Sequence, residues 1–300
     1  MRGDLVKLCK EVAMDREPVC ASMYGSRVCG YAREDSDYDI LLVLDEYADG
    51  VRYHLGRLRD RWAAVLVADR DLFELDIQKG VLGDFVAERV MAPYLPLVGS
   101  AYLEEMEISA KRRVAKEEIE DLVIEYGEMS RGLVVTPEYL ALSRMRKRSR
   151  VYPPVRYSYS NMLRNDLKER NLAEMSKGYR VVLGLLVEEG IGRMQDENLV
   201  LENKYVDLVL ARKTVERVVN ITELSRRALS SYLAHGRAGQ ASLEFIAREL
   251  ASRIRRELQS PLPKLEMEDP KNYLFVKTSL GLASLNERVS ISEFAGRLRP

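Results

Sequence analysis

The sequence predicts an α/β fold, a short mixed sheet with flanking helices, followed by a mainly α-helical domain. Over the first hundred residues, short apolar runs alternate with amphipathic stretches, as in layered α/β structures. From about residue 101 onward, long charged stretches with helical periodicity dominate. Of the 300 residues, 46% are hydrophobic, which is enough to bury a core. We therefore predict one domain over residues 1–100 and a second over residues 101–300.

The first domain is predicted to begin with an amphipathic helix over residues 4–16 and a strand over 19–24. A second strand over 38–44 is apolar on both faces, so we expect it in the middle of its sheet. Apolar residues at helical spacing predict a helix over 50–62. Alternating apolar residues predict a third strand over 72–78.

In the second domain, helical periodicity predicts segments over 102–128, 137–150, 158–189, 203–218, 222–234 and 239–258. Thr136 before Pro137 has the residue types of a helix start, and Thr222 precedes another amphipathic run. The stretch 272–291 has β-branched and aromatic residues around Gly281, which predicts a terminal hairpin.

Composition excludes several classes of protein. Lys and Arg together number 47, as do Asp and Glu, so the formal net charge is zero. The overall charge therefore does not indicate a protein that binds nucleic acid or a membrane surface. No apolar run approaches the roughly 20 residues that cross a bilayer, and nothing suggests export, so we expect a cytoplasmic protein without a membrane partner. Three cysteines at irregular spacing predict neither a disulfide framework nor a zinc site, and two histidines leave little room for histidine-based catalysis.

The informative pattern lies between the first two predicted strands. Gly25-Ser26 ends the first strand, and Ser36-Asp37-Tyr38-Asp39 opens the second. Alternate strand residues share a face, so Asp37 and Asp39 present two carboxylates together, and carboxylate oxygens suit Mg²⁺. The glycine permits close approach of a phosphate to the backbone, and the serine hydroxyl and turn amides can donate to it.

A two-metal site needs a further acid on the side where the attacking oxygen enters, and we expect it from a neighbouring strand. Asp76 is the best candidate because Leu75 and Ile77, on either side of it, favour the core. Glu74, on the same face of the predicted strand, is the alternative.

These motifs resemble those of the DNA polymerase β-like nucleotidyltransferase superfamily, and most of all its minimal nucleotidyltransferase branch. The signature there is Gly-Ser-x-Ala-x-Gly followed by Ser-Asp-x-Asp and an apolar strand, and the resemblance covers roughly residues 18–80. This chain departs from it at Val28-Cys29, where Ala-Arg is common. Arg27 and Arg33 remain available to steady the phosphates.

The resemblance implies a catalytic first domain and an acceptor-binding second domain. Asp37, Asp39 and Asp76 would hold two Mg²⁺ ions, with Mn²⁺ as an alternative, and Asp76 would also activate the acceptor hydroxyl. The nucleotide-binding residues would be Gly25, Ser26, Arg27, Arg33 and Ser36. The chain is thus expected to transfer a nucleoside monophosphate from an NTP to a hydroxyl of RNA, a protein or a small molecule. ATP is the expected NTP.

Residues 144–180 are locally basic, with eleven Lys and Arg against three Asp and Glu. We predict that the strongest run of basic residues in this region binds a polyanion. The alternative is that the run is a solvated helix end without a ligand. The residues of the run are Arg144, Arg146, Lys147, Arg148 and Arg150. A non-catalytic nucleotide- or RNA-binding regulator on the same fold is the alternative to an enzyme.

Overall fold

The structure is a computed structural model and describes residues 1–14, 16–239, 268–278 and 281–284. The chain divides into two units, each built from three separate segments. The first unit contains Met1–Ala110, Ser149–Asn171 and Glu223–Glu266, and the remainder forms the second. None of the helices among the described residues is both long and apolar enough to cross a membrane. Residues 240–258 of the last predicted helix and the end of the predicted hairpin, after residue 284, lie outside the described residues.

A five-stranded mixed sheet forms the centre of the first unit. Its strands are β1 (Pro18–Tyr24), β2 (Tyr38–Leu44), β3 (Val51–Leu58), β4 (Arg61–Asp69) and β5 (Leu95–Val98). Their order across the sheet is β3-β4-β2-β1-β5. Strand β2 is parallel to β4, and the other neighbours are antiparallel. The central place of β2 confirms the prediction from its two apolar faces.

Helix α1 (Arg2–Ala13) covers one face of this sheet. Its side chains Leu5, Leu8 and Cys9 share a buried core with Ile40 and Leu42 of β2. Residues at the alternate positions of each strand point to the opposite face. Because the register pairs Tyr24 with Asp39 and Asp39 with Ala64, these three side chains lie in one row on that opposite face.

Two elements of the first hundred residues differ from the prediction. The predicted helix over 50–62 is wrong: β3 and the start of β4 form a hairpin there, turning at Arg59, which has a φ of 57°. The predicted strand over 72–78 is also wrong, because it is helix α3 (Arg70–Lys79). The Asp69 side chain accepts from two first-turn amides, and Gly80 ends the helix in the left-handed conformation, so both ends are capped.

Short helices complete the first unit around the sheet. They are α2 (Ser26–Cys29), α4 (Glu88–Met91) and α7 (Arg156–Met162). The Tyr159 hydroxyl donates to Glu88 at 2.5 Å. The buried Asn171 amide donates to the carbonyls of Cys29 at 3.0 Å and Met162 at 2.9 Å, which fixes segment 149–171 onto the end of α2.

Longer helices dominate the rest of the chain: α5 (Ser100–Tyr126), α6 (Pro137–Val151), α8 (Lys168–Glu188) and α9 (Asn203–Gly239). The prediction that helices dominate beyond residue 101 is therefore confirmed for residues 101–239, with two differences in segmentation. The predicted segment 158–189 contains two helices, α7 and α8, and the two segments between 203 and 234 are one continuous helix. Thr136 caps α6 as predicted, since its hydroxyl oxygen accepts from the Tyr139 amide at 3.0 Å.

The second unit also contains a small antiparallel sheet that the sequence did not indicate as a whole. Its strands are β6 (Val134–Val135), β7 (Gly192–Gln195), β8 (Asn198–Leu201), β9 (Leu274–Thr278) and β10 (Gly281–Ser284). The order is β10-β9-β6-β8-β7, with the two-residue β6 in the middle. Strands β9 and β10 form a hairpin, which confirms the described part of the predicted one.

Candidate active site

The antiparallel pairing of β1 and β2 brings the Gly-Ser turn beside the second acid. Tyr24, the last residue of β1, pairs with Asp39, so the following residue, Gly25, lies against the Asp39 side chain. A Cβ atom at Gly25 would be 2.3 Å from Asp39 Oδ2, and Gly25 has a φ of 78°. Both facts require glycine here. Two motifs separated in sequence thus share one site.

Arg27 fixes the loop that carries the first acid. Its Nε donates to the Asp37 carbonyl at 3.0 Å, and its Nη2 donates to the Ser36 carbonyl. The guanidinium also lies over the Tyr38 ring, with its central carbon 4.2 Å from the ring centre. These contacts direct the Arg27 side chain, which the sequence assigned to nucleotide binding, toward the backbone just before β2. Arg27 therefore positions Asp37.

The loop before β2 is also held by a hydrogen bond within a tight turn. The Arg33 amide donates to Ser36 Oγ at 2.8 Å. Arg33 is exposed, whereas Ser36, Asp37 and Asp39 are half-buried. Ser36 thus orders the approach to the acids, and Arg33 is the more accessible of the two arginines predicted to bind phosphate.

Asp76, predicted as the third acid, lies on α3 and is fully buried. Its Oδ1 accepts from the amides of Leu82 at 2.8 Å and Asp84 at 3.1 Å. Its Oδ2 accepts from the amides of Val86 and Ala87, each at 2.9 Å. Each carboxylate oxygen therefore has two backbone donors, which hold the loop after α3 in place.

The charge state of Asp76 is set by opposing effects. Burial, and then the nearby Asp84, raise the pKa of Asp76, while its backbone donors act in the other direction. Glu74, the alternative third acid, is also engaged: its Oε1 accepts from the Tyr102 hydroxyl at 2.8 Å and from Arg70 Nε at 3.0 Å. Both acids thus have structural partners within the first unit.

The strand beside β2 carries small apolar residues at the level of the two acids. Strand β4 pairs Ala63 with Tyr38 and Ala64 with Asp39. Ala64 therefore shares the face of Asp39 at the position from which a neighbouring strand would supply another carboxylate. Among the described residues, no three Asp, Glu, His or Cys side chains are grouped so as to hold a metal ion.

A cation that sequence reasoning missed lies on the same face. The guanidinium carbon of Arg89, on α4, is 4.8 Å from the centre of the Tyr24 ring and 5.3 Å from that of Phe85. Burial by itself would lower the pKa of Arg89, but the neighbouring hydroxyls of Tyr24 and Tyr53, and then the Asp39 carboxylate, raise it overall. Arg89 belongs to no sequence motif. It lies on a four-residue helix about 50 residues after Asp39, and only the fold places it near this acid.

Aromatic side chains around the acids are shielded from water. Burial, more than any neighbouring charge, raises the pKa of the Tyr24 hydroxyl, and Asp39 adds to the shift. Burial likewise raises the pKa of Tyr31, and the Asp39 carboxylate adds to the shift. The Asp39 carboxylate therefore lies in a partly desolvated setting, where electrostatic interactions are stronger than in water.

The predicted polyanion-binding run lies on α6, and most of its side chains are engaged or buried. Arg144 and Arg148 are 8% and 3% exposed. Arg146 Nη1 pairs with Asp269 at 2.8 Å, and Lys147 pairs with the carboxylates of Glu118 and Asp121. Arg150 is the exposed member of the run. The five side chains therefore do not form one exposed basic stripe.

Comparison of the sequence with models of known protein families gave no match, and comparison with curated protein sequences gave no significant match either.

Proposed function

We propose that this chain is a metal-dependent nucleotidyltransferase that transfers a nucleoside monophosphate from an NTP to a hydroxyl acceptor. The observation that supports the proposal is the packing of Gly25 against the Asp39 carboxylate, because such a turn suits a phosphate and such an acid suits a metal ion. On this proposal the first unit has a nucleotidyltransferase fold.

The residues present fit one magnesium ion. Mg²⁺ commonly binds through one or two protein carboxylates and completes its octahedron with water and substrate phosphates. Asp37 and Asp39, held by Arg27 and by β2, supply these two carboxylates. The same set does not fit a second ion, because Ala64 takes the neighbouring position and Asp76 accepts four backbone hydrogen bonds.

The chemistry follows from this arrangement. When bound, the ion neutralises the triphosphate and its pyrophosphate leaving group. The turn at Gly25-Ser26 would hold the phosphates, and Asp37 and Asp39 would hold the ion beside them. A bond forms between the acceptor oxygen and the α-phosphorus, the bond from that phosphorus to the bridging oxygen breaks, and the hydroxyl proton passes to water.

A second candidate function is a nucleotide-binding regulator that keeps this fold without transfer. The pairing of Ala64 with Asp39 favours it, since a two-metal mechanism expects another carboxylate at that edge. The two functions share the nucleotide site and differ only in whether covalent transfer occurs.

The test uses each of the four NTPs, labelled at the α-phosphate, with Mg²⁺ and with total RNA, a cell protein extract or small-molecule extract as separate acceptors. We expect transfer of label to one acceptor class by the wild-type chain, and loss of at least a hundredfold in Asp37→Asn and Asp39→Asn. Asp35→Asn is the control, since Asp35 is an exposed acid in the same loop.

The outcomes separate the two candidates. Saturable NTP binding with no transfer to any acceptor supports the regulator. Transfer undiminished in Asp37→Asn or Asp39→Asn overturns the site, and an NTP that neither binds nor reacts overturns the proposed function.

A further inference from the structure

Arg89 carries an inference that rests on the proposed function and names a further residue for it. The guanidinium of Arg89 lies on the face of the sheet that carries Asp39. Tyr24 pairs directly with Asp39 across β1 and β2, and the Arg89 guanidinium carbon lies 4.8 Å from the Tyr24 ring centre. Directly paired strand residues have Cβ atoms about 5 Å apart, so Arg89 packs on the side chain next to Asp39, and the Asp39 carboxylate contributes to the raised pKa of Arg89.

Aromatic rings pack against the guanidinium of Arg89 and fix its position. The guanidinium lies over the rings of Tyr24 and Phe85, and such cation–π contacts are stronger when they are desolvated. The Phe85 ring packs edge-on against Tyr53 of β3, with their centres 6.5 Å apart. Arg89 Nε is buried and makes no hydrogen bond to the described residues.

A charge count compares this arrangement with a two-metal site. A second divalent ion together with the carboxylate that binds it adds one positive charge to a site. A single guanidinium adds the same charge, and arginine does not lose its proton at any ordinary pH. Here the neighbouring strand has Ala64 in place of the carboxylate, and Arg89 faces the same row.

We infer that Arg89 takes the place of the second metal ion, so that the site binds its nucleotide triphosphate with one divalent cation at Asp37 and Asp39 and one guanidinium. Arg89 then contacts a phosphate oxygen of the bound nucleotide. Its planar donor fork suits a phosphate better than an ammonium group does.

Two binding measurements on the full-length chain test this inference, because the inference predicts that the two affinities change in opposite directions. One titrates Mn²⁺ alone and follows the free ion by electron paramagnetic resonance. The other measures the affinity of the Mg²⁺ complex of a non-hydrolysable ATP analogue by calorimetry. The variants are Arg89→Met, which keeps the apolar stem without the charge, and Arg89→Lys, which keeps the charge without the fork.

We expect Arg89→Met to bind Mn²⁺ alone about tenfold more tightly, because a like charge near Asp39 is removed. The same variant should bind the magnesium–nucleotide complex about tenfold more weakly, because the phosphate loses its cation. Arg89→Lys should lie between wild type and Arg89→Met. The wild-type chain should bind one Mn²⁺ per nucleotide. Arg16→Met is the control, since Arg16 also lies over a tyrosine ring but precedes the far end of β1.

Several results would overturn the inference. They are two Mn²⁺ ions per nucleotide in the wild-type chain, both affinities falling together in Arg89→Met, or both remaining unchanged. If Arg89→Met does not fold, Arg89→Lys and the wild-type Mn²⁺ count decide the question. A wild-type chain that binds no nucleotide at all overturns the proposed function as well, whereas nucleotide binding that is indifferent to Arg89 overturns this inference alone.

Discussion

At the scale of single residues, Gly25 shows most directly how backbone conformation shapes the candidate site. Its φ of 78° belongs to the left-handed region, and its missing side chain leaves room for Asp39 Oδ2. Any other residue would be strained and would also displace the carboxylate. The residue type is therefore set by the acid packed against it.

Gly25→Ala should reduce the affinity for the magnesium–nucleotide complex at least tenfold and lower the free energy of unfolding by about 1–3 kcal/mol. Calorimetric titration and denaturant unfolding measure the two effects. Gly127→Ala is the control for backbone strain alone, since Gly127 has a φ of 55° and no atom within 4 Å of an added Cβ. Equal nucleotide affinity in wild type and Gly25→Ala would contradict the proposed place of the phosphates.

Arg27 acts on the site through the backbone. Removing its hydrogen bonds to the carbonyls of Ser36 and Asp37 should loosen the loop before β2 and weaken Mn²⁺ binding about fivefold. Arg27→Met is the test, with Mn²⁺ titration as the measurement. Arg33→Met, which removes an exposed arginine of the same loop, should leave the affinity for Mn²⁺ alone unchanged. If both variants lose affinity equally, net charge and not loop geometry controls metal binding.

At the scale of elements, α3 and the loop after it depend on Asp76. Residue types predicted a strand here, yet the caps at Asp69 and Gly80 produce a helix, and Phe73, Asp76 and Ile77 become its buried face. On the predicted strand Asp76 would have pointed toward the predicted metal site, whereas on this helix it organises the following loop. The sequence predicted a strand with Leu75 and Ile77 toward the core and Asp76 pointing out of it, whereas in the structure Asp76 itself is buried and Leu75 is exposed.

Asp76→Asn should destabilise the protein by about 2–4 kcal/mol, because the amide group of asparagine cannot accept the hydrogen bonds that one carboxylate oxygen now accepts. Thermal or denaturant unfolding measures the loss. Asp71→Asn, at the exposed start of the same helix, should change stability by less than about 0.5 kcal/mol. Unchanged stability together with lost Mn²⁺ binding in Asp76→Asn would instead support the predicted role of Asp76 as a metal ligand.

At the scale of the whole molecule, the first unit is not a continuous stretch of chain. Segment 149–171 belongs to it, and Asn171 is fully buried with its amide on two backbone carbonyls of this unit. Tyr159 of the same segment donates to Glu88. A fragment that ends at residue 100 contains all five strands of the sheet but lacks these partners.

We expect a fragment of residues 1–100 to lack a cooperative unfolding transition and to bind no nucleotide, because α2 loses the contacts of Asn171. Circular dichroism during heating and calorimetric titration measure these properties. In the full-length chain, Asn171→Ala should lower the free energy of unfolding by about 2 kcal/mol, since buried carbonyls lose their donor. A stable, nucleotide-binding fragment would show that residues 1–100 are a domain in their own right, as the sequence predicts.

The sequence by itself determined the elements whose signals are local. β1, the Gly-Ser turn and β2 follow from apolar runs and turn residues, and the resemblance of the two motifs to nucleotidyltransferases implied that Gly25 and Asp39 lie in one site. Long helices such as α5 and α6 follow from periodicity and from the Thr136 cap.

Only the tertiary structure decided the features that depend on pairing between distant segments. Val51 and Leu55 fit either a helix or a strand, and the pairing of β3 with β4 selected the strand. The same register placed Ala64 beside Asp39, and α4 brought Arg89 to that face. Periodicity indicates which residues are buried but not which strands become neighbours. The residues around Asp37 and Asp39, such as Ala64 and Arg89, could therefore be identified only from the tertiary structure.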